Sequence, residues 1–417
     1  MSVRSLLRPG RMKHRLVAIG TSLMLTLIYF SVDTRRLIKD LAIGSSHVYT
    51  KPSSLLEDTG NRTLGFEKIF VISLPSRSDR RDAMVLAAAV SGLDIEFVDG
   101  VVGEDIDPKT ISLVGDGRNL RTSELGIWRA HLNVYREIVR RNITSALIME
   151  DDVDWDINIR AQHRQLAMAT RALTQPLVAR PNRFADPTFP PGRGPTTQTA
   201  LPDLHLDHLP DTMEPKSSPY GDNWDILWTG WSGMAFPPPD LKIPHGRVIW
   251  QDHTVPRKKA LYNMYWEPDV VNQQPLRPQS YIDRYVDHTR VVHHQMDGVG
   301  ALSYAVTQSA ARGLLWDLGL NPIDDALDIL LREYCQGFTG LAWKPRGPRR
   351  CLAVSPSLVA VHWRAGSMTL DSDNLAPDAQ SQREKAYTSN VKWSVKLNME
   401  ELVNGGTNME DQYPDSS

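Results

Sequence analysis

Five acidic residues fall within seven positions: Glu150, Asp151, Asp152, Asp154 and Asp156. Carboxylates this close repel one another, and gathering them is costly unless a cation compensates. A hard divalent ion, Mn²⁺ or Mg²⁺, fits that need. It takes oxygens from one or two carboxylates and fills its shell with substrate phosphates and water. An ion so held neutralises a departing diphosphate. A solvated acidic turn is the plain alternative. A second acidic pair, Asp324 and Asp325, follows Pro322 at the start of a predicted helix, where acids also serve as caps and first-turn residues.

The acid run needs an element to hold it, and the sequence supplies one. Ala146-Leu147-Ile148-Met149 is an apolar stretch of strand length, and Glu150 begins at its carboxyl end. Just before it, Ser123–Arg141 reads as a helix. Leu125, Trp128, Leu132, Tyr135 and Val139 recur at steps of three and four as one apolar stripe. Upstream, Ile69–Leu74 and Ile95–Val98 read as strands. Between them a helix is expected from a Ser76/Asp79 capping box to about Ser91, with Gly92 as its stop. Strands alternating with helices predict an α/β fold on a mostly parallel sheet with flanking helices. Ligands of such sheets gather beyond the carboxyl ends of the strands. The Pro75–Ser78 loop, the Asp99-Gly100 turn and the acid run all map to that edge.

Further along, ten prolines between Pro176 and Pro219 mark a Pro-rich insertion, taken as 176–221 and partly disordered. A strand is expected at Trp224–Trp228, another at Ala301–Thr307, and helices at about Gln308–Leu318 and Asp325–Gln336. Residues 236–295 are aromatic and proline-rich and show no clear period. After Ser367 the chain is polar, so 367–417 is expected to be a mobile tail.

A formal net charge of −2 over 417 residues offers no basic field for nucleic acid. The two cysteines, Cys335 and Cys351, show no zinc-ligand spacing, and they fit either one disulfide or two buried thiols. Leu16–Val32 carries no charge and would span about 26 Å as a helix. Arg4, Arg8, Arg11, Lys13 and Arg15 precede it, which favours a cytoplasmic tail (1–15), a transmembrane signal anchor (16–32) and a lumenal body. Residues 33–65 would be a stem. The sequons at Asn61 and Asn142 would then face a glycosylating lumen.

The stretches FEKIFVISLPSRSDRR, VDG, SELGIWRAHLNVY, ALIMEDDV, WDILWTG, GALSYAVTQSAARGLL and NPID, in that order, resemble glycosyltransferase family 25. That family includes lipopolysaccharide-core and procollagen galactosyltransferases. The resemblance implies a GT-A type, Rossmann-like domain over 66–366 that binds a nucleotide-sugar with a metal. It implies an inverting transfer of a hexose, galactose from UDP-galactose above others, to a glycan or protein hydroxyl in the Golgi or ER. Glu150-Asp151-Asp152 corresponds to the family's DxD-like element. Asp152 is then the direct metal ligand, and Glu150 or Asp151 faces ribose or a metal-bound water. Ser73, Leu74, Arg77 and Arg81 resemble the nucleotide-pocket segment, with Asp99 at the neighbouring turn. Gly298 and Gly300 resemble the turn that approaches the donor sugar. Asp324, with Asp325 beside it, occupies the place of a carboxylate base, which would take the acceptor's hydroxyl proton. His362 is the candidate late metal ligand, with His293 and His294 as competitors. Ala130 stands where the family commonly has serine before the histidine, here His131. A domain that kept the fold as a sugar-binding or adhesion protein is the alternative.

Overall fold

The computed structural model describes residues 54–111, 120–192, 201–230, 235–239, 241–261, 281–337, 347–367 and 382–415. In chain order, β1 (Lys68–Ser73) leads through α1 (Ser78–Ser91) to β2 (Glu96–Asp99), and α2 (Thr122–Arg140) leads to β3 (Ser145–Glu150). After β4 (Val153–Trp155) and α3 (Ile159–Thr174) comes the Pro-rich region. It contains the hairpin β5 (Pro176–Leu177) and β6 (Arg180–Phe184), then β7 (Leu204–His205). Next are β8 (Ile226–Trp228), β9 (Arg247–Gln251), α4 (Tyr281–Arg284), β10 (Thr289–His294), β11 (Ser303–Thr307), α5 (Gln308–Leu314) and α6 (Leu327–Gln336). The chain closes with β12 (Cys351–Ser355), β13 (Val359–Trp363), β14 (Gly366–Ser367), β15 (Gln382–Arg383), β16 (Tyr387–Thr388) and α7 (Met399–Val403).

Nine strands form one sheet in the order β2-β1-β3-β11-β8-β12-β10-β9-β7. The chain is α/β, but the expected mostly parallel sheet is corrected to a mixed one. β2, β1 and β3 are parallel, whereas β11 runs antiparallel to both β3 and β8, and β10 antiparallel to both β12 and β9. Parallel neighbours need a long crossover, usually a helix. α1 and α2 supply it for the first three strands. No comparable described helix separates β8, β9, β10 and β11, and these strands are free to reverse. The expected transmembrane helix at Leu16–Val32 lies outside the described residues. Among the described residues no helix is long and apolar enough to cross a membrane. The structure therefore gives the anchor no support, and the fold class is corrected to an α/β domain on a mixed sheet.

Both faces of the sheet are covered. Ile69, Val71, Leu147 and Met149 pack under α1 and α3, while Phe70, Ile72 and Ile148 pack under α2, α5 and α6. The period of two along β1 and β3 sends alternate side chains to opposite cores. Trp128, Leu132 and Tyr135 of the α2 stripe are buried. α1 departs from its expected start. Its cap is Arg77, without a side-chain hydrogen bond, and Asp79 pairs with Arg77 at 3.1 Å and with Arg364 at 2.6 Å.

Contacts gather Leu55–Ser417 into one compact unit, so the folded region begins about ten residues before the expected end of the stem. The polar tail is also corrected. Val391, Ser394 and Val395 are buried, and Tyr387–Thr388 pairs with β13. Its polar groups find partners inside the domain, which a hydropathy reading cannot register. The insertion is likewise partly packed: Phe189 and Asp186 are buried, and Asp186 Oδ2 lies 3.1 Å from His294 Nε2. Cys335 and Cys351 form a disulfide that ties the end of α6 to the start of β12.

Candidate active site

Ser73, Asp99 and Glu150 end three parallel strands side by side, in register Ser73↔Asp99 and Ile72↔Glu150. The Glu150 amide donates to Leu302 O at 2.9 Å, which fixes the last residue of β3 against the entry to β11. Asp151 and Asp152 then make the turn into β4. A cavity of about 280 Å³ opens above these strand ends, walled by Ser73, Leu74, Gly100, His131, Glu150, Asp151 and Asp152. Close backbone approach shapes its far side. A Cβ on Gly103 would lie 1.8 Å from Thr122 O, and one on Gly126 would lie 2.5 Å from Val101 O. A second cavity, of about 220 Å³, lies between α1 and the C-terminal segment and contains His362, Arg364 and Lys396. Arg80, Asp151 and Asp152 line both.

Arg80 is the guanidinium at that junction. It lies 2.6 Å from Asp151 Oδ1 and 3.6 Å from Asp152 Oδ2, with only 11% of its side chain exposed. Burial alone would lower its pKa, but Asp152 and Asp151 outweigh burial and raise it. One monocation does not neutralise three carboxylates. Although Glu150 opens in part to the first cavity, burial and then Asp152 and Asp151 push it up to about 8. Burial raises Asp152 too, with Asp151 adding to it and Arg80 opposing. Asp152 Oδ1 is buried with no hydrogen-bond partner. An orphaned carboxylate oxygen beside other acids fits a cation.

The protein does not supply a full cage. Among the described residues no group of three or more His, Cys, Asp or Glu is gathered to hold a metal ion. An ion such as Mn²⁺ or Mg²⁺ does not require one, since it binds one or two carboxylates and completes its shell from phosphate and water. Asp154 and Asp156 are engaged elsewhere. Asp154 accepts from Trp155 N at 2.8 Å, Thr388 Oγ1 at 2.7 Å and Ser394 Oγ; Asp156 accepts from Asn158 N and Trp393 N.

His362 faces the second cavity, with its amide donating to Asp152 O at 2.8 Å. Its Nδ1 is 2.9 Å from Thr388 Oγ1. The Thr388 hydroxyl proton is directed to Asp154, so His362 Nδ1 carries a proton and donates to Thr388. Nε2 keeps its lone pair, the form a metal ligand needs. Burial lowers His362 to about 4, so the ring is neutral at physiological pH.

The other expected residues divide. Ser73, Leu74, Glu150, Asp151 and Asp152 line the first cavity. Arg77 is drawn onto Asp79. Arg81 bonds Ser73 O at 2.8 Å and Asp99 Oδ1 at 2.5 Å, a strut joining the ends of β1 and β2 beneath the cavity. Gly298 and Gly300 stand outside both cavity walls. The Gly300 amide donates to Asp328 Oδ2 at 2.9 Å, with a φ of 80° that favours glycine. Asp324 is exposed, and Asp325 bonds the Ala326 amide at 2.8 Å. Neither lines either of the two cavities above, and both act on Glu333, whose carboxyl they help burial to raise. Asp328, in the first turn of α6, is the acid of that segment whose charge reaches Glu150. His131 is buried, lowered to about 3 by burial, and its Nδ1 is 2.7 Å from the Tyr304 hydroxyl. His293 bonds Ser355 and His294 faces Asp186, both away from the acid run.

Arg80, Asp328 and Lys396 were not expected from sequence. Arg80 sits inside the nucleotide-pocket stretch and shares α1 with Arg77 and Arg81, but only the fold shows which arginine turns inward. No sequence signal marks Lys396.

A parallel strand trio ending in a carboxylate turn, with a cavity above it, defines an α/β domain built for a small polar ligand at its strand ends. Residues 66–175 match the model of glycosyltransferase family 25 (LPS biosynthesis protein), so this stretch is similar to the glycosyltransferases of that family. Procollagen galactosyltransferase 1-B of Xenopus laevis is 22% identical over 235 residues, 54% of this chain and 31% of that protein. Procollagen galactosyltransferase 1-A of the same frog is 28% identical over the same shares. The human inactive glycosyltransferase 25 family member 3 is 31% identical over 133 residues, 29% of this chain and 21% of that protein. The chain thus spans less than a third of the length of these curated relatives.

Proposed function

We propose that this chain transfers a hexose, galactose in the first instance, from a UDP-sugar to a glycan or protein hydroxyl with inversion. The observation that carries this reading is the buried, unpartnered Asp152 Oδ1 at the junction of two cavities above the strand ends. Asp152 would hold Mn²⁺ or Mg²⁺, with Glu150 or the Nε2 of His362 as the further ligand. A bound dication supplies positive charge against a leaving diphosphate. Ser73, Leu74 and the Gly100–Glu104 loop shape the first cavity for the nucleoside. Arg81 holds the strand ends that carry it, and Arg80 keeps Asp151 in place. An acid on the approach to α6, Asp324 or Asp325, takes the acceptor proton in this reading. Asp328 competes for that role because its charge reaches the acid run. The Cys335–Cys351 disulfide supports an oxidising, secretory-route compartment.

The likeness to inactive family members gives a second reading, a sugar-binding protein without turnover. One experiment separates them. With Mn²⁺ and a panel of UDP-sugars, UDP release should rise above background for one donor and rise again with acceptor. Donor binding without release for any donor would favour the inactive reading.

A further inference from the structure

The C-terminal segment brings one cation to the site that no side chain bonds directly, although the charges of Asp154, Asp152 and Asp151 act on it. Asp154 accepts the Lys396 amide at 3.2 Å and the Ser394 hydroxyl, which pins residues 394–396 against β4. That pin places the Lys396 side chain in the wall of the second cavity, beside Arg80, Asp151, Asp152 and His362. Arg80 is held by Asp151 and Asp152, and Arg364 by Asp79 at 2.6 Å. The Lys396 ammonium has no hydrogen bond or ion pair among the described residues. A recessed ammonium with no direct hydrogen-bond or ion-pair partner is costly to keep, and a ligand anion in the cavity would supply one.

The wall of this cavity holds three acids, Asp79, Asp151 and Asp152, and three basic side chains, Arg80, Arg364 and Lys396, beside His362. Alone it is balanced. With a dication on Asp152 it carries an excess of two positive charges, which suits a diphosphate. The apolar faces of Ala83, Leu86 and Met399 complete the wall and weaken screening of those charges.

We propose that the second cavity is where a donor diphosphate lies, and that Lys396 is a diphosphate-binding residue delivered by the C-terminal segment. This rests on the UDP-sugar reading above. The nucleoside occupies the first cavity and the diphosphate crosses the shared wall of Arg80, Asp151 and Asp152.

Calorimetry on the full chain in Mn²⁺ tests it with three probes: UDP, uridine and inorganic pyrophosphate. Lys396→Ala should weaken UDP and pyrophosphate at least tenfold, about 1.4 kcal/mol, and leave uridine unchanged. Lys396→Arg should recover most of the loss. Because Asp154, Asp152 and Asp151 also act on this ammonium, the melting temperature of the ligand-free variants is read beside the affinities, and a modest fall with a loss shared by all three probes would mark a structural lysine. Wild-type-like binding of UDP and pyrophosphate by Lys396→Ala overturns the assignment, as does an equal loss of uridine affinity with a lowered melting temperature. If the wild type binds pyrophosphate through Lys396 but not UDP, the subsite stands and the donor reading falls. If it binds neither, both fall.

Discussion

Replacing Arg80 with methionine removes the guanidinium between the two cavities and keeps most of its aliphatic bulk. Arg80 and Asp151 are 11% and 8% exposed at the side chain, so the ion pair is largely desolvated. Breaking one partner of a buried pair costs about 3–5 kcal/mol. Two features reduce that here. The carboxylates border cavities that admit water, and burial already raises Asp152 and Glu150 above their ordinary values. We expect a loss of about 2–3 kcal/mol in EDTA. For a unit of this size the unfolding entropy is roughly 0.75 kcal/mol/K, which places the fall in Tm near 3–4 °C. Mn²⁺ should raise the Tm of Arg80→Met more than that of the wild type, because the added ion meets the same carboxylates without a competing cation. Differential scanning calorimetry in EDTA and in Mn²⁺ measures both. An unchanged Tm in EDTA, or equal Mn²⁺ shifts in the two proteins, would refute the view that Arg80 counterbalances the acid run.

Two further outcomes follow from the same charges and bonds. Glu150 has a folded value of about 8, above its ordinary 4.5. Its contribution to the stability of the metal-free protein is therefore complete below about 4.5 and lost as pH rises through about 8. A dication needs the ionised form, so Mn²⁺ affinity should climb by up to about tenfold per pH unit between pH 6 and 8, with proton release. Flat affinity across that range would show that Glu150 titrates elsewhere. Separately, the Cys335–Cys351 bridge closes a loop of sequence separation 16, and serine at both positions should cost about 3 kcal/mol. Urea unfolding checks it, and an unchanged midpoint would mean the bridge adds nothing.

The strands around the acid run were legible because β1 and β3 are continuous apolar runs and α2 carries a clean stripe. Their strand ends therefore converged on paper as they do in space. Other parts could not be read this way. β10, Thr-Arg-Val-Val-His-His, is fully buried yet polar at four of its six positions. It can be so because Arg290 meets Asp252 at 2.9 Å and Pro356 O at 2.7 Å, while His293 meets Ser355 on β12 and His294 meets Asp186 just beyond β6. Apolar periodicity is blind to polar groups satisfied by distant residues. The same holds for the C-terminal segment, whose Thr388, Ser394 and Lys396 read as solvent-facing until Asp154 is placed beneath them. Strand direction was missed because alternation of element types carries no sign once crossover helices cease. At the site, Glu150-Asp151-Asp152 announced itself by charge density. Asp324 and Asp325 stood out equally well, although Asp328, one helical turn on, is the acid whose charge reaches Glu150.

Asp152→Asn bears most directly on the account, since it keeps the volume of the side chain and removes only its charge. Titrating Mn²⁺ and then UDP into both proteins should show that the wild type binds UDP far more tightly with the ion than without it. In Asp152→Asn that dependence should vanish while uridine still binds. Ion-dependent UDP binding in the variant equal to wild type would contradict the claim that this carboxylate holds the cation.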